Sequence, residues 1–96
     1  MKNLSQLHQT DKEVSAQSLF KGEIGTATAI QLQQDGTLKE HITKTPAMLL
    51  CIHGKVNYKD ETNQDFMLQS GDYVSIAPNV KHWLHATEKS QLVLLK

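Results

Sequence analysis

The sequence predicts an all-β domain, either a sandwich or a barrel, and three observations support this prediction. The chain reads as eight or nine short strands, each separated from the next by turn residues. No stretch has the periodicity of a long helix. Two of the runs, residues 47–52 and 92–95, are apolar on both faces, so a cover is needed on each face.

The first half of the chain supplies four of the predicted strands. Residues 1–13 are predicted as an amino-terminal tail or a short helix, and residues 14–96 as a single domain. The period-two spacing of Val14, Ala16 and Phe20 predicts the first strand. The next three strands are predicted over residues 26–33, 38–43 and 47–52, with a turn at Asp35-Gly36 and a break at Pro46.

The second half continues in the same manner. Gly54 marks a bulge or a sharp bend before a strand at residues 56–59. The polar cluster over residues 60–64 is predicted to be a hairpin loop. The remaining strands are predicted over residues 66–69, 73–76, 81–86 and 91–95, separated by turn residues.

Length, composition and charge exclude several classes of protein. Ninety-six residues with 39% hydrophobic and 21% charged side chains fit one compact domain. Ten basic and ten acidic residues give a net charge of zero, which argues against binding to nucleic acid or to an anionic membrane. No apolar run approaches the roughly 20 residues of a membrane helix, and the first residues lack an apolar signal region. We therefore expect a cytoplasmic protein, and the single cysteine, Cys51, excludes an internal disulfide.

The two strands that are apolar on both faces also bear on assembly. One face of each strand can line the interior, and the other must be covered as well. In a chain with so little helix, that cover is a second sheet or a second subunit. We therefore expect a homodimer.

The five histidines carry the candidate chemistry, because no glycine-rich phosphate loop and no nucleophile elbow is present. His82 and His85 are three residues apart, so on a strand they point to opposite faces and do not bind one ion together. We expect His8 and His85 to be solvated surface residues and His53 to lie at a rim.

Three segments carry a resemblance to a known family. They are Glu40-His41-Ile42-Thr43, the run from Leu49 to Val56 that contains His53-Gly54, and the run from Gly71-Asp72 through Pro78-Asn79 to His82. Together they resemble a small single-domain cupin, a double-stranded β-helix barrel of the jelly-roll type. The resemblance covers roughly half of the chain and implies a single cupin barrel.

The resemblance also implies a metal site that is incomplete. Cupins that hold iron, manganese, nickel or zinc present three histidines and a glutamate. His41 and His82 match the first and the last histidine, while Thr43 and Ala47 occupy the other two ligand positions. The resemblance therefore implies no cofactor, or a divalent transition metal on His41 and His82, with His53 or solvent as a further ligand. The alternative is that both are interior histidines bonded to each other, to Thr43 or to water.

Three functions remain open at this point. The favoured one is a non-catalytic barrel that binds a small polar or anionic molecule, with His41, Thr43 and His82 as its wall and Tyr58 lining the cavity. The alternative is a metal-dependent cupin enzyme, a dioxygenase or an isomerase, that uses His41 and His82 as ligands. The missing carboxylate at position 47 weighs against the enzyme. The third is a structural dimer without a ligand.

Strict alternation conflicts with the resemblance in one strand. Alternation places Leu38 and Ile42 in the core and His41 on the other face, whereas the resemblance places His41 and Thr43 inward. Trp83 adjoins His82 and is therefore expected to point away from it, towards a covered outer face or an interface.

Overall fold

The strands in the structure follow the chain almost as the sequence predicts. The computed structural model describes residues 1–8 and 11–96, so residues 9 and 10 of the predicted tail lie outside the described residues. A 3-10 turn at Leu4–Gln6 precedes the strands. The strands are β1 (Val14–Lys21), β2 (Thr26–Leu32), β3 (Thr37–His41), β4 (Ala47–His53), β5 (Lys55–Asp60), β6 (Asp65–Gln69), β7 (Tyr73–Ile76), β8 (His82–Ala86) and β9 (Ser90–Leu95). No helix within the described ranges is long and apolar enough to cross a membrane.

The strands form two antiparallel sheets. The five-stranded sheet has the order β1-β2-β9-β4-β7, and the four-stranded sheet has the order β3-β8-β5-β6. Strands that are distant in the sequence are neighbours in both sheets, as β9 lies between β2 and β4. The inner faces of the two sheets contribute to one hydrophobic core, which gives the flattened barrel that the sequence predicts.

The core is filled by the apolar side chains that alternation assigns to the inner faces. From the five-stranded sheet come Ile30, Leu32, Ala47, Leu49, Cys51, Val74, Ile76 and Leu92, and from the four-stranded sheet come Val56, Tyr58, Leu68, Leu84 and Ala86. Tyr58, Leu32 and Leu84 are among the largest fully buried side chains. Burying one such side chain stabilises the fold by roughly 1.5–3 kcal/mol.

Residues with positive φ form the turns that connect these strands. Asp35 has φ 65° before β3, and Asn79 has φ 64° before β8, a conformation that asparagine and aspartate tolerate better than other residues with a Cβ. Gly54 has φ 105° between β4 and β5, which confirms the sharp bend predicted there. The backbone of Lys89 and Ser90 approaches Gly54 closely, so this position needs glycine for two reasons.

The outer face of the five-stranded sheet carries the second set of apolar side chains. Met48 and Leu50 of β4 point outward while Leu49 and Cys51 point into the core. Val93 lies beside Leu50 in the register between β4 and β9. The double-sided apolar pattern therefore produces a covered inner face and an apolar outer face.

The amino-terminal turn covers one end of this outer face and corrects the prediction for His8. The side chain of His8 is only 8% exposed, and its Nδ1 is hydrogen-bonded to Ser15 Oγ at 2.8 Å. Ser15 pairs with Gln31, and Gln31 pairs with Gln91, so these three residues form a row of polar side chains across β1, β2 and β9. His8 lies over the Ser15 end of this row. The prediction of a solvated His8 is wrong because the turn folds back onto β1, a contact between segments that spacing does not reveal.

The outer face of the four-stranded sheet is more polar. Trp83 is half-buried there and lies opposite Lys59 in the register between β8 and β5. His85 is exposed on the same face, as predicted, and its Nδ1 is within 3.3 Å of Thr37 Oγ1.

Candidate functional site

The structure brings His41 and His82 together at one end of the barrel. His41 ends β3, His82 begins β8, and the two residues pair directly across these strands. Their ring centroids are 4.0 Å apart, with an angle of 60° between the ring planes. His82 is buried, whereas His41 is half-buried. We call these two residues the histidine pair.

An irregularity in β3 turns His41 inward and resolves the conflict between alternation and the family pattern. The register between β3 and β8 shifts between Leu38 and His41. Leu38 and His41 therefore line the same cavity, although they are three positions apart and regular alternation would place them on opposite faces of the strand. Ile42, which alternation assigned to the core, is 47% exposed.

Backbone carbonyl groups fix the tautomer of both rings. His41 Nδ1 is 3.1 Å from the Lys39 carbonyl oxygen, and His82 Nδ1 is 3.0 Å from the Val80 carbonyl oxygen. Because a carbonyl oxygen only accepts, each Nδ1 carries the hydrogen and donates it. In the neutral rings, Nε2 is therefore the nitrogen with a free lone pair.

Burial sets the charge of His82. Burial lowers the pKa of His82 below its ordinary value of 6.5, and the neighbouring His41 lowers it further. The hydrogen bond to Val80 and the charge of Asp60 act in the opposite direction without overcoming burial. His82 is therefore neutral at pH 7, and its Nε2 is a hydrogen-bond acceptor.

Tyr58 supports the pair from the core rather than lining an open pocket. Its side chain is fully buried, and its ring stacks on that of His82 with centroids 6.0 Å apart. The hydroxyl group donates to Asp60 Oδ2 at 2.9 Å. Burial and this carboxylate raise the pKa of Tyr58 above its ordinary range.

Asp60 is a site residue that the sequence analysis missed. It is 5% exposed and lies beside His82 in the register between β5 and β8. Burial alone raises the pKa of its carboxyl group, but hydrogen bonds from Thr62, Tyr58 and Gln64 lower it overall.

The predicted loop over residues 60–64 begins one residue later, because Asp60 is the last residue of β5. Alternation carries the signal, because Val56, Tyr58 and Asp60 share one face of β5.

Neither Thr43 nor His53 is among the residues that line the cavity shared by His41 and His82. The Thr43 hydroxyl group is turned to the Thr45 carbonyl oxygen, to which it donates at 3.0 Å. His53 is exposed and lines a cleft beneath the amino-terminal turn, beside Leu4 and Gln91. The rim position predicted for His53 agrees with this placement, whereas a role beside His41 and His82 does not.

The cavity beside the pair is small. It has a volume of about 10 Å³, which is close to the space that one water molecule requires. Apart from the two histidines, its lining is apolar and consists of Ile30, Leu38, Leu49, Ile76, Leu84 and Leu94.

The residues around the pair do not fit a tightly bound metal ion. Among the described residues, no group of three His, Cys, Asp or Glu side chains is arranged to hold one. Ala47 offers no donor atom, and both carboxylate oxygens of Asp60 already accept hydrogen bonds. Catalytic transition-metal sites commonly use three protein ligands, and the pair supplies two.

Comparisons with known proteins agree on the fold. No protein-family model matches the chain, and no curated protein matches it in sequence. A cupin superfamily protein from Desulfitobacterium hafniense aligns over 97% of this chain and 84% of its own, with a TM-score of 0.85 and 11% identity. An RmlC-like cupin from Shewanella frigidimarina aligns over 91% of this chain and 78% of its own, with a TM-score of 0.80 and 15% identity.

A third solved structure names the architecture directly. An RmlC-like cupin family protein with a double-stranded β-helix fold, from Methanocaldococcus jannaschii, has a TM-score of 0.77 and 17% identity. The alignment covers 93% of this chain and 84% of that one. The nine strands of the described residues, their two antiparallel sheets and these similarities show that the chain has the fold of a small RmlC-like cupin domain.

Proposed function

We propose that this chain is a non-catalytic cupin that binds a hydroxyl-bearing small molecule through the histidine pair. The observation that carries the proposal is the orientation of the two rings. Both Nδ1–H groups donate to backbone carbonyl oxygens, which leaves two Nε2 acceptors, and residues 1–8 and 11–96 add no third metal-ligating side chain to them. An acceptor in a largely apolar site favours a ligand that donates a hydrogen bond.

The electrostatics of the site favour a neutral ligand over an anion. His82 is neutral at pH 7 because burial lowers its pKa. Asp60, beyond Tyr58, is ionised because its hydrogen bonds lower its pKa. A negative charge close to a neutral imidazole repels anions. Of the two ligand classes that the sequence suggests, polar and anionic, we therefore propose the polar one.

The volume of the cavity limits which part of the ligand enters. About 10 Å³ accommodates one water-sized group, and a hydroxyl group is of that size. His41 is half-buried, so the rest of the ligand lies on its exposed side. Neutral polyols and sugars match this description.

The second candidate function is a metal-dependent enzyme that uses His41 and His82 as ligands. The observation that favours it is the pair of free Nε2 atoms, since imidazole binds transition metals through a nitrogen whose partner Nδ1–H is held by a carbonyl group. The missing third ligand is why we rank this function second.

One titration distinguishes the two functions. Protein labelled with ¹⁵N in its histidines would be titrated with erythritol, D-galactose and D-galacturonate, and separately with Zn²⁺ and Mn²⁺. We expect a neutral polyol to shift Nε2 of His82 and galacturonate to bind less tightly than galactose. The shift should disappear in His41→Ala and persist in His85→Ala, the matched control on the outer face.

Two results would contradict binding of a neutral ligand at the pair. One is tighter binding of galacturonate than of galactose. The other is a metal ion retained at one equivalent through purification and lost in His82→Ala, which would support the enzyme instead.

A further inference from the structure

A row of polar side chains on the outer face of the five-stranded sheet is buried beneath the amino-terminal turn. Ser15, Gln31 and Gln91 pair in register across β1, β2 and β9, and His53 of β4 pairs with Gln91. We call the first three residues the polar row. They are 4%, 1% and 8% exposed, and His8, which is itself buried, is hydrogen-bonded to Ser15. Uncharged polar groups are therefore enclosed at a place from which water is largely excluded.

The polar row has hydrogen-bonding capacity that the described residues do not use. Gln91 Nε2 donates to Gln31 Oε1 at 2.6 Å, which engages one end of each amide group. The other ends, Gln91 Oε1 and Gln31 Nε2, are buried without a partner among residues 1–8 and 11–96, and the same holds for His8 Nε2. Folded proteins pair nearly all of their buried polar atoms, because an unpaired atom retains the full cost of its desolvation. A partner from outside the chain is therefore expected beside this row.

A cleft opens beside the polar row, where the amino-terminal turn meets β4 and the start of β9. It has a volume of about 490 Å³, which lies within the range of small-molecule sites. Of the described residues that line it, only Gln91 is buried, so Gln91 forms the floor, while Leu4 and Ile52 form apolar walls. Because Nε2 of Gln91 is turned to Gln31, Oε1 is the end of the amide that is left for a molecule in the cleft.

The charge of the lining selects among small molecules. Lys89 and His53 line the cleft, whereas no described acidic residue does, and the neighbouring Glu88 is not part of the lining. Within residues 1–8 and 11–96, Lys89 forms no ion pair, so its ammonium group is free to attract an external carboxylate. Gln91 Oε1 accepts a hydrogen bond and therefore requires a donor, such as a hydroxyl group.

We propose that the cleft beneath the amino-terminal turn is a second binding site, for a small carboxylic acid with an apolar body and a hydroxyl group. The carboxylate lies near Lys89, the apolar body lies between Leu4 and Ile52, and the hydroxyl group donates to Gln91 Oε1. Because this ligand contacts both the turn and the sheet, its binding holds the turn in the docked position. The histidine pair lies on the inner side of the other sheet, so the two sites bind their ligands separately.

Two hydroxyaryl acids of different length, 4-hydroxybenzoate and 3-(4-hydroxyphenyl)propanoate, are the probes. Each would be titrated at pH 7 and low ionic strength into the full chain labelled with ¹⁵N. We expect the backbone amide signals of Leu4, Ile52 and Gln91 to shift until the site is saturated, while those of His41 and His82 stay in place. Analogues that lack the hydroxyl group, or that carry an amide in place of the carboxylate, should bind at least about threefold less tightly.

Two substitutions test the two polar contacts separately. In Gln91→Met the acceptor is lost at nearly constant volume, so the hydroxy acid and its analogue without the hydroxyl group should bind equally. In Lys89→Gln the charge is lost at an exposed position, so the acid should bind about threefold less tightly and the amide analogue as before. Lys59→Gln is the matched control, because it removes the same charge from the outer face of the other sheet. Circular dichroism would verify that each variant is folded.

Hydrogen exchange of the turn gives a second measurement that requires no substitution. The amide groups of Gln6 and Leu7 donate to the carbonyl oxygens of Asn3 and Leu4, at 3.0 and 3.1 Å. A ligand that binds only the docked turn stabilises the docked state by mass action. Exchange of these two amides should therefore slow as the concentration of the acid rises.

Three outcomes would overturn the proposal. In the first, neither acid shifts the amide signals of the cleft up to about 20 mM, so that water alone occupies it. In the second, the shifts centre on the histidine pair. In the third, the wild type binds the hydroxy acid and its analogue without the hydroxyl group equally. None of these outcomes affects the polyol titration at His82, so each site is accepted or rejected on its own probe.

Discussion

At the scale of single residues, Asp60 connects the core to the histidine pair. Its Oδ2 accepts a hydrogen bond from the Tyr58 hydroxyl group, and its Oδ1 accepts from the backbone of Thr62 and Gln64. A buried carboxylate with this many donors remains charged, because each donor stabilises the ionised form. The phenol is equally dependent on the carboxylate, since a buried hydroxyl group without a partner is costly.

Removing the Tyr58 hydroxyl group should therefore destabilise the fold. In Tyr58→Phe, Asp60 loses one of its donors inside the protein, and we expect the free energy of unfolding to fall by about 1–3 kcal/mol. Urea denaturation at pH 7 measures the change. Tyr73→Phe is the control, because Tyr73 is 62% exposed and should change stability by less than about 0.5 kcal/mol. Equal effects of the two substitutions would show that the hydrogen bond between Tyr58 and Asp60 does not stabilise the fold.

The sequence reveals His41 and His82 but not their surroundings. Both histidines stand in motifs that resemble a family, and their pairing across β3 and β8 agrees with that resemblance. The sequence predicts Asp60 in a loop because this residue opens a run of polar residues, a composition typical of hairpins. Its burial depends on β8 lying beside β5, a pairing of distant segments that local composition does not encode.

At the scale of elements, turn chemistry and alternation predict the strands well. Each predicted strand lies within one or two residues of an observed one, because Asp35, Gly54 and Asn79 adopt the positive φ values that end strands. The irregularity in β3 was not predictable, since Leu38, Glu40 and Ile42 alternate regularly in the sequence. It is visible only in the register with β8.

Gly54 offers a test of how strongly one turn is constrained. At Gly54, φ is 105°, and an added Cβ would lie 2.6 Å from the Lys89 carbonyl oxygen. At Gly71, φ is 90°, and among the described residues no atom other than those of its chain neighbours lies within 4 Å of an added Cβ. Gly71→Ala should lose about 1 kcal/mol from the backbone conformation alone. Gly54→Ala should lose clearly more, because the backbone of β9 must also move.

Thermal denaturation of the two glycine variants gives the comparison. The melting temperature of Gly54→Ala should lie below that of Gly71→Ala. Identical melting temperatures would mean that the contact between the β4–β5 bend and the start of β9 relaxes without cost.

The amino-terminal turn should detach in acid. Burial lowers the pKa of His8 below its ordinary value of 6.5, so the docked turn favours the neutral imidazole. The unfolded turn therefore binds more protons near pH 6, and docking weakens as the pH falls. The contribution of neutral His8 to the stability of the docked turn is complete above about pH 6.5. It is lost as the pH falls through the lowered pKa that His8 has in the docked turn.

Amide ¹H–¹⁵N spectra between pH 7.5 and 4.5 measure this detachment. The signals of Leu4, Ser5 and Gln6 should move towards random-coil positions in the wild type and in His85→Gln, the control at an exposed histidine. In His8→Gln they should not respond to pH in this range. An unchanged response in that variant would assign the transition to another group.

At the scale of the whole molecule, the inner and outer faces of the barrel differ in the polarity of their side chains. The inner faces hold a closely filled core with the histidine pair at one end. The outer face of the five-stranded sheet carries apolar side chains such as Met48 and Leu50 beside a row of uncharged polar ones, and that of the four-stranded sheet carries Lys59, Asp65 and His85. The sequence shows that two strands are apolar on both faces, but only the sheet order shows that β4 and β9 are adjacent.

The homodimer that the sequence predicts has a consequence for stability. If association buries the apolar outer side chains of β4 and β9, dimerisation stabilises the folded state by mass action. The melting temperature of the wild type should therefore rise between 2 and 200 µM protein. Differential scanning fluorimetry measures this rise. A wild-type melting temperature independent of concentration would contradict a dimer that dissociates in this range.

The small cavity beside the histidine pair has a mechanical consequence. Hydrostatic pressure unfolds proteins largely by eliminating internal voids, so the volume change of unfolding scales with the empty space inside. The cavity of about 10 Å³ at this end of the barrel contributes little to the volume change of unfolding. Leu84→Ala would enlarge this cavity, and the barrel would then become compressible at the place where His41 and His82 meet.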